Sequence, residues 1–180
     1  NWKKQGKFLV ADVPTFNGRP LDFRQLWING KKATRARDVA DFEKMYRIIN
    51  NDPKNEILWV PTAAVKKIQK SPYAEMVLHE MWCVANLRIK SIDIQGDSAA
   101  VRFHNPESRI QFEHPWPRPM VTKDGHNSAF YLTNAMELLD EPGEWYHDIE
   151  NRKLYYYPRK GEKITQAIVP GIETLVQVEG

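Results

Sequence analysis

One hundred and eighty residues, 42% hydrophobic and 11% aromatic, suffice for one ordinary domain, or two small ones, with a real core. Twenty-six Lys and Arg against 23 Asp and Glu leave a formal charge of +3, too small and too evenly spread for the electrostatic footprint of a nucleic-acid binder. The apolar runs are short and interrupted, so none reads as a membrane span, and the single cysteine, Cys83, excludes an internal disulfide and any Cys-based zinc site. The chain opens Asn1-Trp2-Lys3-Lys4-Gln5 without an initiator Met or an apolar leader. It reads as part of a longer protein, and its compartment is not legible from this end.

Short alternating runs with turn signals dominate the pattern. Phe8 to Val13 reads as a strand stopped by Pro14, and Asn17-Gly18-Arg19-Pro20 as a turn. Phe23 to Ile28 then enters Asn29-Gly30 and leaves through Lys31 to Arg35. Asn-Gly between two extended runs predicts a hairpin, because a type I′ turn needs two residues tolerant of positive φ. Val39, Phe42, Tyr46 and Ile49 recur at three or four residues behind Asp38, which predicts an amphipathic helix from Val39 to Ile49 with Asp38 as its N-cap. Ile57 to Val60 reads as a buried strand and Ala63 to Gln69 as a two-turn helix.

From Glu75 the pattern is extended again. Glu75 to Met81, Leu87 to Ile89, Ser91 to Ile94 and Ala100 to Phe103 read as consecutive antiparallel strands, with Trp82 expected in the core. Residues 104–128 hold Pro106, Pro115, Pro117 and Pro119, which remove ladder donors and predict a long ordered loop. Thr133 to Leu139 reads as a short helix ended by Pro142-Gly143. A second hairpin follows, Glu144 to Asp148 out and Lys153 to Tyr157 back, with its turn at Ile149-Glu150-Asn151 and Trp145 and Leu139 in the core. Ala167 to Val169 and Leu175 to Val178 give two last short strands. The expected fold is a single mainly β domain over residues 1–180, a β-sandwich or partly open barrel with two to four short α-helices.

Few residues offer chemistry. His79, His104, His114, His126 and His147 lack metal-ligand spacing, and on a strand His79 and Cys83 would sit ~13 Å apart. No nucleophile elbow, dinucleotide fingerprint or phosphate loop is present, so no metal, cofactor or nucleotide is expected. Glu144, Asp148 and Glu162 cluster in sequence, and glycoside hydrolysis needs only two suitably spaced acids; the same acids fit a solvated hairpin turn. Trp145 and Tyr155 to Tyr157 are explained by cross-strand packing. Trp116 stands apart between Pro115 and Pro117, flanked by His114 and Arg118. A rigid loop presenting an indole beside polar groups suits stacking on a sugar face; the alternative is a ring plugging a gap in the core.

Three stretches together carry a resemblance. Gln25 to Lys32 followed by Arg35-Ala36-Arg37 is the first, and Glu75 to Ile92 with Trp82 inside is the second. The most specific is Asn134 to Tyr146 with Asp148, Leu154-Tyr155-Tyr156 and Pro158-Arg159. This combination resembles the insertion domain of right-handed parallel β-helix glycoside hydrolases of families 120 and 141. The sequence departs from that pattern at Asp38, where Pro is usual, at Thr133, where an acid is usual, and at Asn151-Arg152, which replace a Gly-containing turn.

The resemblance implies an accessory domain without the catalytic one, because stacked β-helix repeats are absent here. It implies a non-catalytic role beside the substrate groove of a β-helix catalytic domain in the same parent chain, itself secreted or periplasmic and acting on polysaccharide. Oligo- or polysaccharide is then the expected partner, with no nucleic acid and no membrane. Two other readings stay open: a self-standing carbohydrate-binding module, and a small glycosidase using its own carboxylates. The residues expected to contact carbohydrate are Trp116, His114 and Arg118. Asn29, Gly30, Trp82, Pro142, Gly143, Glu144 and Trp145 are expected to carry the fold.

Overall fold

The Asn29-Gly30 turn forms as expected. In the computed structural model, which describes residues 1–172, 174, 176, 178 and 179, Asn29 and Gly30 take φ of 50° and 76°. Leu26–Ile28 and Lys31–Arg35 pair antiparallel across them. Asn29 also reaches outward: its Oδ1 accepts from the backbone of Thr165 (2.9 Å) and Gln166 (3.1 Å), which sets Ala167–Ile168 as a further strand against Leu26–Ile28. The run Leu175 to Val178 includes residues outside the described ones.

This hairpin belongs to one of two compact units, Asn1–Ala36 with Leu139–Gly180; the other is Arg37–Leu138. The first unit holds a seven-stranded sheet. Lys3–Gln5 and Phe8–Asp12 form one edge, then come Lys153–Tyr156, Glu144–Asp148, Lys31–Arg35, Leu26–Ile28 and Ala167–Ile168. Its pairings are antiparallel except one. Glu144–Asp148 runs parallel to Lys31–Arg35, with Glu144 opposite Thr34 and Trp145 opposite Arg35. A parallel pair needs a long crossover, and here the chain between the two strands supplies the whole second unit.

The core of the first unit gathers Val13, Phe23, Leu26, Ile28, Ala33, Trp145, Leu154 and Tyr156. Trp145 is fully buried and stacks on Phe23 at 5.5 Å between ring centroids, while Phe23 also stacks on buried His147 at 4.6 Å. The turn of this second hairpin reaches one residue past Ile149-Glu150-Asn151. Arg152, not Asn151, takes the positive φ of 50°, because Asn151 is engaged by Asp148, whose carboxylate accepts from its backbone and side-chain amides.

The second unit holds another seven-stranded sheet. Glu75–His79 lies between Ala129–Thr133 and Val84–Gln95, and Met76, Val77 and Leu78 are all buried. The two runs expected after Cys83 are one strand, Val84–Gln95, with a register shift between Ile89 and Ser91. Thr62–Val65 and Lys66–Ile68 form the expected short helix, α-helical and then 3-10. Near Leu139 only Met136–Leu138 is helical, as a 3-10 turn. The mainly β class is as expected, with two short α-helices among the described residues.

Three expectations for this unit are overturned. The helix from Val39 to Ile49 does not form. Phe42–Lys44 makes a single 3-10 turn capped by Asp41, and Tyr46–Arg47 pairs with Ala129–Phe130 as a sheet edge. Asp38 does not cap a helix; its carboxylate accepts from the Leu132 N–H at 2.9 Å. An isolated helix of this length is marginal, so the strand pairing prevails, and Phe42, Tyr46 and Ile49 are exposed while Met45 and Ile48 are buried.

Residues 104–128 are not loop throughout, since Glu107–Glu113 is α-helical behind Pro106, a position where proline is tolerated. Finally, Trp82 is not in the core but 75% exposed. It lies at the tip of the hairpin between Glu75–His79 and Val84–Gln95, where the backbone N–H of Glu80 donates to Cys83 at 3.0 Å and leaves Met81 and Trp82 outermost.

Trp145→Ala should therefore cost about 3–5 kcal/mol, and Trp82→Ala should stay within about 0.5 kcal/mol, both read from urea unfolding midpoints. A second expectation concerns acid. Burial is the main cause holding the His147 imidazole below its ordinary value of 6.5, assisted by Arg35 and opposed by Asp22 and Asp148. The unfolded chain thus binds a proton that the folded chain resists, so this part of the stability is complete above about pH 6.5 and is lost as pH falls below it. The urea midpoint of the wild type should drop between pH 7.5 and 5.5, and the drop should shrink in His147→Phe. An equal drop in both would contradict the assignment.

Candidate functional site

The acids that could have made a small glycosidase are tied into the fold. Glu144 is buried, and its Oε2 accepts from the backbone N–H groups of Asp140 (3.2 Å) and Glu141 (3.1 Å). Asp148 holds the hairpin turn through Asn151. Glu162 accepts from the Tyr156 hydroxyl (2.6 Å), the Arg159 backbone (3.0 Å) and the Arg159 guanidinium (3.1 Å). Burial pushes its carboxyl up, but these donors outweigh it and hold the group below the usual carboxylate range. Burial, then Glu162, push the Tyr156 hydroxyl well above its ordinary value. These are structural hydrogen bonds at a corner. Gly143 turns that corner with φ 97°, and a β-carbon there would lie 2.9 Å from Arg159 Nε.

The loop nominated by its prolines lies in the second unit and is anchored at its base. Met120 N–H donates to Ser128 Oγ (3.0 Å) while Ser128 N–H donates to Met120 O (2.9 Å). Asn127 accepts from Thr122 N–H (2.8 Å) and donates to Ile48 O (2.8 Å). Asn51 Nδ2 donates to Pro119 O at 3.2 Å. Between this loop and the strand Asn50–Asp52 runs a groove of about 370 Å³ whose lining includes Asn50, Asn51, Trp116, Arg118 and Thr122.

Two of the three nominated residues therefore meet in one groove. Trp116 is 40% exposed rather than folded into the core. Arg118 is also exposed and makes no hydrogen bond or ion pair among the described residues. His114 is placed differently. It ends the helix Glu107–Glu113 by donating its backbone N–H to Ile110 O, and its Nδ1 accepts from the Trp116 N–H at 3.3 Å. It orients the tryptophan instead of lining the groove.

Sequence reasoning missed the opposite wall. Asn50 and Asn51 follow directly on the expected helix, which does not form, and carry no role in the sequence analysis. Their signal was two adjacent amides ahead of a buried strand, a polar pair with no turn of its own to make. Beyond Trp116 stands Trp82, whose ring meets the Trp116 ring edge to face at 5.6 Å.

Behind this pair lies Glu80, which accepts from Gln111 Nε2 (2.7 Å) and the Cys83 thiol (3.1 Å). Burial raises its carboxyl above the usual range, against those two hydrogen bonds. The Cys83 thiol, pushed up to about 11 by burial and by Glu80, is a poor nucleophile at neutral pH. A larger open concavity of about 650 Å³ in the first unit, lined in part by Phe16, Arg19, Asp22 and Arg24, contains none of the nominated residues. Among the described residues no group of three His, Cys, Asp or Glu converges as a metal set, and no helix is long and apolar enough to cross a membrane.

The groove thus brings together an exposed indole, a guanidinium, two amides and the Thr122 side chain. The family model of the GH141 insertion domain matches residues 6–159, and the chain belongs to that family. A solved structure described as a glycoside hydrolase is similar, with a TM-score of 0.92 and 71% identity. The match covers 100% of this chain and 32% of that one, so this chain spans about a third of that protein. The comparison with curated proteins gives no match.

Proposed function

We propose that the chain is a non-catalytic accessory domain of a polysaccharide-degrading glycoside hydrolase, and that it forms part of the wall of the substrate groove through the Trp116 loop. The family match and the 32% share of a glycoside hydrolase chain support a domain that serves a larger catalytic protein, here taken as a secreted β-helix enzyme. The observation that carries the sugar contact is Trp116, 40% exposed in a groove it shares with Arg118, Asn50 and Asn51. A flat apolar ring stacks on the C–H face of a sugar, while amides and a guanidinium exchange hydrogen bonds with its hydroxyls. The anchored, proline-rich loop lowers the ordering cost of that contact. His114 acts as a positioning residue for Trp116.

A self-standing binding module uses the same surface and differs in degree: it binds glycan tightly when expressed alone. The small-glycosidase reading is disfavoured by the hydrogen bonds that occupy Glu144, Asp148 and Glu162.

In a full-length glycoside hydrolase carrying this domain, Trp116→Ala should raise KM about threefold or more with kcat within about twofold, the pattern of lost ground-state binding. Unchanged KM would remove the groove contact. Expressed alone, the chain should release no reducing sugar from polysaccharide; turnover that disappears in Glu144→Gln would contradict the accessory reading.

A further inference from the structure

Of the six tryptophans, Trp82 and Trp116 are the two exposed ones, and they touch each other. A surface indole in isolation needs no explanation. Two in contact, flanked by exposed Met81 and Val84, form an apolar patch of the kind that marks an interaction surface. The hairpin tip that carries Trp82 is also held in place. The Glu80 N–H to Cys83 O hydrogen bond closes the turn, and the Glu80 carboxylate clamps it by accepting from Cys83 and from buried Gln111 of the neighbouring helix. Placing a carboxylate in this partly buried position costs desolvation, and its effect is to hold an exposed ring in one place.

Resting on the sugar contact proposed above, we infer that Trp82 and Trp116 are consecutive platforms for one oligosaccharide, Trp116 meeting one ring in the groove and Trp82 meeting a ring further along the same chain. The patch is continuous with the groove through Trp116, and beside apolar Pro119, Met120 and Val121 the groove offers two amides, a guanidinium and the Thr122 side chain. A hydroxyl-rich ligand satisfies those groups, whereas a dry protein face would strip their water without replacing it. The surface therefore fits a glycan of two or more rings, and Trp82 makes its affinity depend on chain length.

The test is titration of the 180-residue chain, followed by isothermal calorimetry and protein NMR, with cello-, xylo-, manno- and galacturono-oligosaccharides from monosaccharide to hexasaccharide. In at least one series the affinity should rise about tenfold or more beyond the monosaccharide. Trp82→Ala should erase that increment, and Trp82→Phe, which keeps a ring against Trp116, should restore part of it. Trp116→Ala should weaken every length.

An affinity that ignores chain length but still needs Trp116 overturns this inference alone. So does an increment that survives Trp82→Ala. Absence of binding in all four series overturns both this inference and the sugar contact beneath it. A dimer in solution that Trp82→Ala dissolves would make the tip a protein interface and overturn the inference as well.

Discussion

The first unit depends on one parallel pairing. Thr34 N–H donates to Gly143 O (3.0 Å) and Ala36 N–H to Trp145 O (2.8 Å), joining two hairpins that are otherwise local and self-contained. The chain between them closes on itself as the second unit, where Arg37 bridges Thr133 and Asp38 N–H donates to Leu132 O (3.1 Å), so the loop-closure cost of this parallel clasp is shared with that unit's own pairing. The clasp rests in turn on Gly143. Its left-handed φ and missing β-carbon let the Arg159 side chain pass, and the guanidinium ties Tyr156 and Glu162 of one hairpin to the Lys32 carbonyl of the other. Glu144 closes the corner from the other side by accepting two backbone donors. Glu144 and Glu162, two of the clustered acids, are thereby hydrogen-bonded at this corner.

Local chemistry was legible wherever a single residue type is required. Asn29-Gly30 had to be a type I′ turn, and Pro142-Gly143 had to stop one element and start another. The long buried strands were legible from composition, as at Glu75–His79. What could not be read depended on partners far away in sequence. Val39 to Ile49 has helical spacing, but Tyr46–Arg47 finds the edge strand Ala129–Phe130, and no local pattern announces that edge. The prolines of residues 104–128 concealed the helix Glu107–Glu113, whose buried side chains are Ser108 and Gln111, so no apolar stripe was there to be seen.

The site was legible by halves. Trp116 and Arg118 were nominated because prolines on both sides of an indole predict a rigid display, and both line one groove. His114 was placed correctly in sequence but acts on the Trp116 backbone. Trp82 was misjudged because an indole between two strands is usually core. Its position at the outermost turn depends on the pairing of His79 with Val84, a register that only the folded sheet specifies. Asn50 and Asn51 reach the groove on the strand Asn50–Asp52, which pairs with Ile57–Pro61 at the other end of the strand order from Tyr46–Arg47, a pairing that no local pattern announces.

The central claim, proposed above, is that the second unit meets carbohydrate through an exposed indole surface while buried Trp145 of the first unit only supports the fold. The indole N–H resonances of the isotopically labelled chain report on each tryptophan separately. On adding an oligosaccharide series, the account predicts progressive shifts at Trp116 and Trp82 and none at Trp145, which is buried in the other unit. Shifts confined to the first unit, or a spectrum unmoved by every sugar, would contradict it.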